Sequence, residues 1–522
     1  MTDISARPAR HRIEPEVSTE SGRVRGRWEN ELAVFRGIPF AQPPVGSARF
    51  AAPRPAPDWD GVREAIAFGP PAPQETSFAG RTGTLEVPIS TDWLTLNVWT
   101  PDPGPAARRP VFVWVYGGAY KLGFAGSPGH DLHRLARDGD LVAVTFNYRV
   151  GIEGFAQLDS APANRGLLDQ VAALEWVRDN IAAFGGDPDR ITICGESAGA
   201  GAIAALLAMP RAAGLFRRAI MQSMPGTYFS TALAADIATE IAATVGRRPT
   251  AADLSDVDPW DLPAAGATMS ATALRHADRW GPVAHTITQF APVVDGEVLP
   301  TTPWQALAAG RARDVELIVG HNRDECRLFI TLAGQFGAID DEQAAQALRA
   351  YAPWPDAERT YRAAYPDASA GELFEIVQSD WLFRMPALHL AEAQYSGGGR
   401  AHMYVLTWPA PGSAGRLGAC HGLDGPLLTG NFGAQLGPML LGEQPAPEAH
   451  TLSAYLRATW TGFAATGDPG WPAYDPQQRL VQLLDTPTTT GPYPVERSRR
   501  LWRNHTFPAL PLLGEAGTCP EH

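Results

Sequence analysis

Ile191-Thr192-Ile193-Cys194-Gly195-Glu196-Ser197-Ala198-Gly199-Ala200 reads as a short apolar strand that turns on a serine into a helix of small residues. The pattern is Gly-x-Ser-x-Gly at a strand-to-helix junction. A tight turn there exposes the Ser197 hydroxyl at the carboxyl edge of a sheet, and glycine at 195 and 199 lets backbone and helix pack close together. The Ala198 amide then stands at a helix N-terminus, where a free N–H can stabilise a developing oxyanion. The same string also occurs in ordinary glycine-rich loops. The strand before it and the helix after it are what give it chemical meaning.

Outward from this turn, short continuous apolar runs recur: Val111–Val115, Leu141–Phe146, Ile191–Cys194, Ala219–Met221, Leu317–Val319 and Met403–Leu406. They are too short for helices and do not alternate, as expected of strands buried on both faces of a parallel sheet. Between the second and third runs, Leu167, Val171, Leu174, Val177 and Ile181 recur at helical spacing, and Gly185-Gly186-Asp187-Pro188 ends the helix they predict. Strand, helix and strand in succession form a βαβ unit, so the class is α/β, with a large, mostly parallel central sheet covered by helices. Residues 338–395 carry helical patterns broken by Pro and Gly and are expected to form a helical cap over the strand ends. No repeat or linker divides the chain. Residues 15–510 are therefore expected to form one catalytic domain, with 1–14 and 514–522 as disordered tails.

The composition narrows the function. With 522 residues, 45% of them apolar, the chain is long enough to bury a large core. A net charge of −13 leaves no basic footprint for nucleic acid or anionic lipid. Lys121 is the only lysine among 43 basic residues, which reads as a compositional bias towards arginine. Apolar stretches such as Gly199–Met209 fall short of the roughly 18–20 residues that a membrane span needs. The N-terminal residues contain no apolar core of a secretory signal. Four cysteines without paired short spacing suggest neither a disulfide scaffold nor a zinc site. The expectation is a soluble, cytoplasmic globular protein that uses no metal or cofactor and binds neither nucleic acid nor membrane. Whether it is a monomer or a homodimer stays open.

A second glycine turn, Tyr116-Gly117-Gly118-Ala119-Tyr120, follows the strand Val111–Val115. Its amides at Gly118 and Ala119 could join that of Ala198 as three donors aimed at one point, with Gly117 supporting the turn; an ordinary βα turn is the plainer alternative. With these motifs in place, the sequence resembles the type B carboxylesterases, relatives of cholinesterases and bacterial p-nitrobenzyl esterases on the α/β-hydrolase fold. The resemblance spans roughly residues 15–510. It also rests on Phe35–Gly46, Leu96–Pro101, Asn147–Gly151, Asn164–Gln170, Phe184–Pro188, Met221–Ser223, Pro292–Gly296 and Phe463–Pro469.

Hydrolases of this fold place nucleophile, acid and histidine in that chain order. After the strand ending near Val319, Asp324 and Glu325 are adjacent carboxylates, and on chemistry alone either could accept from an imidazole N–H. The resemblance selects Glu325. Of the twelve histidines, His421 lies in a glycine-flanked loop after the strand Met403–Leu406, where a base must hang over the sheet. It also matches the His-Gly segment of the resembled family. His130 and His133 read as a helix start, and His389 and His402 as structural. The resemblance implies that Ser223 braces the acid and the histidine, with a simple buried hydroxyl as the equal alternative.

The chain also departs from the pattern. Trp93 replaces a cysteine that secreted relatives use in a disulfide, consistent with a reducing compartment. No tryptophan lies between 60 and 92, so the aromatic that binds choline in cholinesterases has no counterpart. Ala119 replaces a third glycine. Related turns of this kind accept bulky, even tertiary, alcohol esters, an ability carried over only as an implication. Cys326 and Cys420 flank the expected acid and base; they read as two buried thiols, with a redox switch as the sharper alternative. Glu153, acidic where relatives usually carry a small or apolar residue, reads as a solvated loop charge, with a pocket residue as the alternative.

The expected function is a serine carboxylesterase acting on a small-molecule ester through Ser197, His421 and Glu325. Gly118, Ala119 and Ala198 would form the oxyanion hole, and Trp381 and Phe383 of the cap would wall the pocket, with core packing as the equal alternative. The alternatives are a carbamate or amide hydrolase on the same residues and, more remotely, a non-catalytic binding protein of the same fold.

Overall fold

The computed structural model describes residues 13–514 apart from 76, 79–80 and 83–90. The expected tails 1–12 and 515–522 lie outside the described residues. Ile13 and Glu14 lie inside them and bond to Trp28, through its indole N–H and its backbone N–H respectively.

The architecture rests on an eleven-stranded sheet. In chain order its strands are β1 (Arg27–Glu29), β2 (Leu32–Pro39), β3 (Thr95–Thr100), β4 (Arg109–Val115), β5 (Val142–Phe146), β6 (Gly186–Glu196), β7 (Arg218–Gln222), β8 (Glu316–Asn322), β9 (Ala401–Leu406), β10 (Leu480–Leu484) and β11 (Thr489–Pro492). Across the sheet they run β11-β10-β9-β8-β7-β6-β4-β5-β3-β2-β1. From β5 to β10 every pairing is parallel. The flanking pairings are antiparallel. All six apolar runs of the sequence fall on parallel strands, and Val111, Val113, Ile191, Ile193, Ile318 and Val405 are fully buried. Helices cover both faces, which is why these strands do not alternate.

The helix expected from residue 167 onward is α1 (Arg165–Asn180), and Gly185, at φ +86°, closes the turn after it. Strand β6 starts at Gly186, earlier than the apolar run suggests, because a bulge between Gly186 and Ile191 carries polar residues along the edge of β4. Helix α2 (Ala198–Ala208) is buried along its whole length, so only small and aliphatic side chains fit there. The buried Arg149–Asp169 pair, 2.8 Å apart, ties the end of β5 to α1.

After β8 come α3 (Arg327–Leu332), α4 (Asp341–Tyr351), α5 (Ala357–Ala364), α6 (Ala370–Ser379), a π-helical turn Asp380–Arg384 and α7 (Met385–Ser396). Capping boxes at Asp340 and Ser369 fix the starts of α4 and α6. Among the described residues no helix is long and apolar enough to cross a membrane.

Candidate active site

Strand β6 delivers Ser197 to the sheet edge in a strained backbone, φ +55° and ψ −127°. Its N–H is held by the Gln222 carbonyl at 2.8 Å. A Cβ on Gly199 would lie 2.1 Å from the Val115 carbonyl oxygen, and one on Gly195 would lie 2.8 Å from both that oxygen and Gly199. Both glycines are therefore fixed by close packing of β4, β6 and α2.

Two loops then converge on Ser197. The Ser197 hydroxyl lies 2.8 Å from His421 Nε2, and His421 Nδ1 lies 2.7 Å from Glu325 Oε2. Glu325 is fully buried, and its other oxygen accepts the Asn322 N–H at 2.7 Å. The adjacent carboxylates separate by direction. Asp324 turns away and accepts the Ala419 N–H at 2.9 Å, while its own N–H donates to the Ala419 carbonyl at 2.8 Å. Asn322 adds a bond to the Cys420 carbonyl at 2.7 Å. The acid loop and the histidine loop are thus laced together by polar groups other than the candidate catalytic ones.

The His421 ring is flanked by Phe383 at 4.3 Å and Phe329 at 5.1 Å between centroids. Glu196 Oε1 lies 3.2 Å from His421 Nε2. Burial pushes the Glu196 carboxyl up to about 8. Burial alone would lower the imidazole pKa, but Glu196 and Glu325 outweigh it and the net shift is upward. The site can therefore hold a proton on the imidazole between carboxylates, as a base that accepts a hydroxyl proton must.

The second glycine turn lies against the serine. A Cβ on Gly117 would sit 2.7 Å from the Glu196 carbonyl and 3.0 Å from Ser197 Cβ. Gly118 and Ala119 are left-handed, at φ +111° and +57°. Among the described residues, neither of their amides donates to a backbone carbonyl. The Ala198 amide, first in α2, lacks an intrahelical acceptor.

A cavity of about 530 Å³ opens over Ser197 and His421. Its lining is mixed: Leu328, Phe329, Leu332 and Ile287 are among the apolar residues, and Gln74, Glu75, Ser127, His130 and Gln435 among the polar ones. The expected pocket residues sit elsewhere. Trp381 packs on Tyr351, 5.2 Å between ring centroids, and Phe383 stands behind His421; neither lines the cavity. Both residues lie in the π-helical turn, and α3 supplies Leu328, Phe329 and Leu332 to the cavity wall. The apolar spacing Leu328, Phe329, Leu332 just after the acid was the available signal.

Ser223 is buried at φ +53°, and its hydroxyl has no hydrogen-bond partner among the described residues, so it bonds neither Glu325 nor His421. Glu153 is not a solvated charge: it is 2% exposed and receives Arg49 Nε and Nη2 at 3.0 and 2.7 Å. Its partner lies 104 residues away in sequence, beyond any local signal. His130 donates from Nδ1 to the Phe124 carbonyl at 2.8 Å, and His133 opens a short helix beside Asp131. Among the described residues, no group of three His, Cys, Asp or Glu side chains gathers as a metal site. Cys194, Cys326 and Cys420 are buried free thiols that burial pushes well up, so none offers a reactive thiolate.

This fold and this arrangement of serine, histidine and carboxylate define a class of hydrolases, and comparison with known proteins gives the family. A profile of the carboxylesterase family matches residues 13–500. The chain is 37% identical over 496 residues to the para-nitrobenzyl esterase of Bacillus subtilis (strain 168), covering 93% of this chain and 97% of that one. It is 35% identical over 491 residues to the phenmedipham hydrolase of Pseudarthrobacter oxydans, covering 90% and 95%. The crystal structure of a Geobacillus stearothermophilus carboxylesterase at pH 6.2 superposes with a TM-score of 0.82 at 33% identity, over 93% of this chain and 99% of that one. The chain belongs to the carboxylesterase family, enzymes that hydrolyse carboxylic esters on the α/β-hydrolase fold.

Proposed function

We propose that the chain hydrolyses carboxylic esters through an acyl-enzyme formed on Ser197. As Ser197 Oγ attacks the ester carbonyl, its proton passes to His421 Nε2, and Glu325 holds the imidazolium through Nδ1–H. The carbonyl oxygen becomes an oxyanion facing the amides of Gly118, Ala119 and Ala198. Collapse of this intermediate expels the alkoxide, which takes the proton from His421. A water molecule then repeats the sequence on the acyl-enzyme with His421 as base, releasing the acid and restoring Ser197. No step calls on a metal or cofactor. The observation that carries this reading is the hydrogen-bond chain from Ser197 through His421 to Glu325, with links of 2.8 and 2.7 Å, at the foot of a 530 Å³ cavity.

The apolar residues of the cavity suit an acyl chain or an aromatic alcohol. The test is hydrolysis of p-nitrophenyl esters from acetate to laurate by the wild type and Ser197→Ala. Turnover that survives in the variant overturns the serine route, and an inert wild type overturns the esterase reading. The likeness to a phenmedipham hydrolase supports a second reading, aryl carbamate hydrolysis on the same residues, which turnover of an aryl carbamate by the wild type would test. Buried free thiols and Trp93 in place of a disulfide cysteine support a reducing, cytoplasmic setting.

A further inference from the structure

The turn that carries the candidate oxyanion donors is held in a conformation its own residues disfavour. Gly118, Ala119 and Tyr120 are all left-handed, at φ +111°, +57° and +58°. Two consecutive residues with side chains remain there only where the surroundings over-determine them. Part of that support is backbone. Lys121 and Leu122 donate to the Gly118 carbonyl at 3.1 Å each, and Gly151 donates to that of Tyr120 at 2.7 Å.

The Thr288 hydroxyl donates to the Ala119 carbonyl at 2.8 Å. Further support comes from one loop. Gln74 accepts the Gly123 N–H at 2.8 Å and donates to the Gly123 carbonyl at 2.9 Å. Next to it, Glu75 Oε2 lies 3.3 Å from Lys121 Nζ, with both side chains close to nine-tenths buried, at 13% and 11% exposure. Glu153 lines the same small pocket as Glu75 and Lys121; Arg49 takes its Oε1, and its Oε2 has no hydrogen-bond partner among the described residues. In a chain whose other 42 basic residues are all arginine, the one lysine stands two residues after Ala119, with carboxylates bordering its pocket. A compact ammonium fits this pocket where a planar guanidinium fork does not match a single facing oxygen.

We propose that the Lys121–Glu75 ion pair, seconded by Gln74, is a positioning device for the oxyanion turn. It clamps residues 121–123 so that the Gly118 and Ala119 amides keep their aim at the oxygen of the carbonyl that Ser197 attacks. The inference rests on reading those amides as oxyanion donors. Lys121 does not line the 530 Å³ cavity, so its loss leaves the substrate contacts in place and acts only through the turn. Glu75 does line the cavity and serves as the partner control.

The experiment measures kcat and KM on p-nitrophenyl butyrate, together with Tm, for Lys121→Met, Lys121→Arg, Glu75→Gln and the double variant Lys121→Met/Glu75→Gln. Lys121→Met and Glu75→Gln are each expected to lower kcat by about tenfold or more, because small misplacements of catalytic groups are costly. KM should hold within about twofold, and the double variant should be no worse than the poorer single one, as for two parts of one unit. Affinity for a trifluoromethyl ketone, which forms the tetrahedral oxyanion on Ser197, should fall in step with kcat, and Lys121→Arg should recover part of both. An unchanged kcat in a folded Lys121→Met overturns the proposal, as does a rise in KM alone or a loss that only follows Tm. If Lys121→Met does not fold, Lys121→Gln, which also lies outside the cavity, decides by the same criteria. A wild type inert on every ester overturns the catalytic reading itself. An active wild type with an indifferent Lys121→Met overturns only the clamp.

Discussion

Glu196 Oε1 lies 3.2 Å from His421 Nε2, the ring nitrogen that the Ser197 hydroxyl meets at 2.8 Å. Two groups therefore compete for one imidazole nitrogen, and one of them is a buried carboxyl raised to about 8. As carboxylates, Glu196 and Glu325 stabilise the imidazolium and raise the His421 pKa. A base that must be neutral to act then becomes competent only as pH rises past that raised value.

Glu196→Gln tests this with a definite sign. Removing the negative charge removes an interaction that favours the protonated ring, so the His421 pKa falls. The ascending limb of kcat/KM against pH should move to lower pH by roughly one unit. A limb that stays in place, or moves to higher pH, would show that Glu196 does not face the imidazole as a charge.

Glu325 and Asp324 were indistinguishable by residue type, and the structure separates them by where each carboxylate points. Glu325→Gln keeps the shape but removes the partner of the imidazolium, and kcat should fall by about 10⁴-fold while Tm changes little. Asp324→Ala instead frees the buried Ala419 N–H and unlaces the two loops, so stability should fall by about 1–3 kcal/mol with a smaller loss in kcat. Denaturant unfolding and kinetics on the two variants separate the roles, and reversed outcomes would exchange them.

The parts that could be read from the sequence are those built by neighbours in the chain. The serine turn is legible because its strand, glycines and helix follow one another directly, although the Val115 carbonyl that crowds both glycines comes from β4, a distant strand, and the parallel strands show as apolar runs because both their faces are covered. What could not be read depends on distant partners. Arg49 reaches Glu153 across 104 residues, so a buried ion pair looked like a loop charge. Trp381 and Phe383 lie in a π-helical turn, Asp380–Arg384, and outside the cavity lining, and no residue spacing announces such a turn. Ser223 lies beside Gln222, which holds Ser197, yet its own hydroxyl has no hydrogen-bond partner among the described residues.

Phe329 is the residue that pattern reading missed and the cavity exposes. Its ring forms part of the apolar lining and also flanks His421. Phe329→Ala should widen the wall and raise the preference for octanoate over acetate p-nitrophenyl esters on the order of tenfold, as a few methylene contacts allow. Because the side chain is only half-buried, the stability cost should stay under the 3–5 kcal/mol typical of a fully buried phenylalanine. An unchanged chain-length profile would place the acyl group elsewhere in the cavity.

The glycine turn makes the last prediction, because two substitutions two residues apart should go opposite ways. At Gly117 a new methyl would meet the Glu196 carbonyl at 2.7 Å, Glu196 Oε2 at 2.9 Å and Ser197 Cβ at 3.0 Å. Something must move, and what stands nearest is the nucleophile's own turn, so Gly117→Ala should cost at least about 10² in kcat. At Ala119 the methyl already sits on a left-handed backbone, φ +57°. Ala119→Gly relieves a conformational cost of about 1–2 kcal/mol and gives back roughly 0.5–1 kcal/mol in the unfolded chain's entropy. Its stability should therefore be equal or slightly higher. Its kcat should stay within about threefold, because the N–H donor remains and the surrounding bonds still fix the turn. Kinetics and melting curves on the pair decide the matter. A tolerated Gly117→Ala would mean that the turn stands farther from Ser197 than this packing requires. A crippled Ala119→Gly would mean that the methyl itself, and not the amide behind it, holds the substrate.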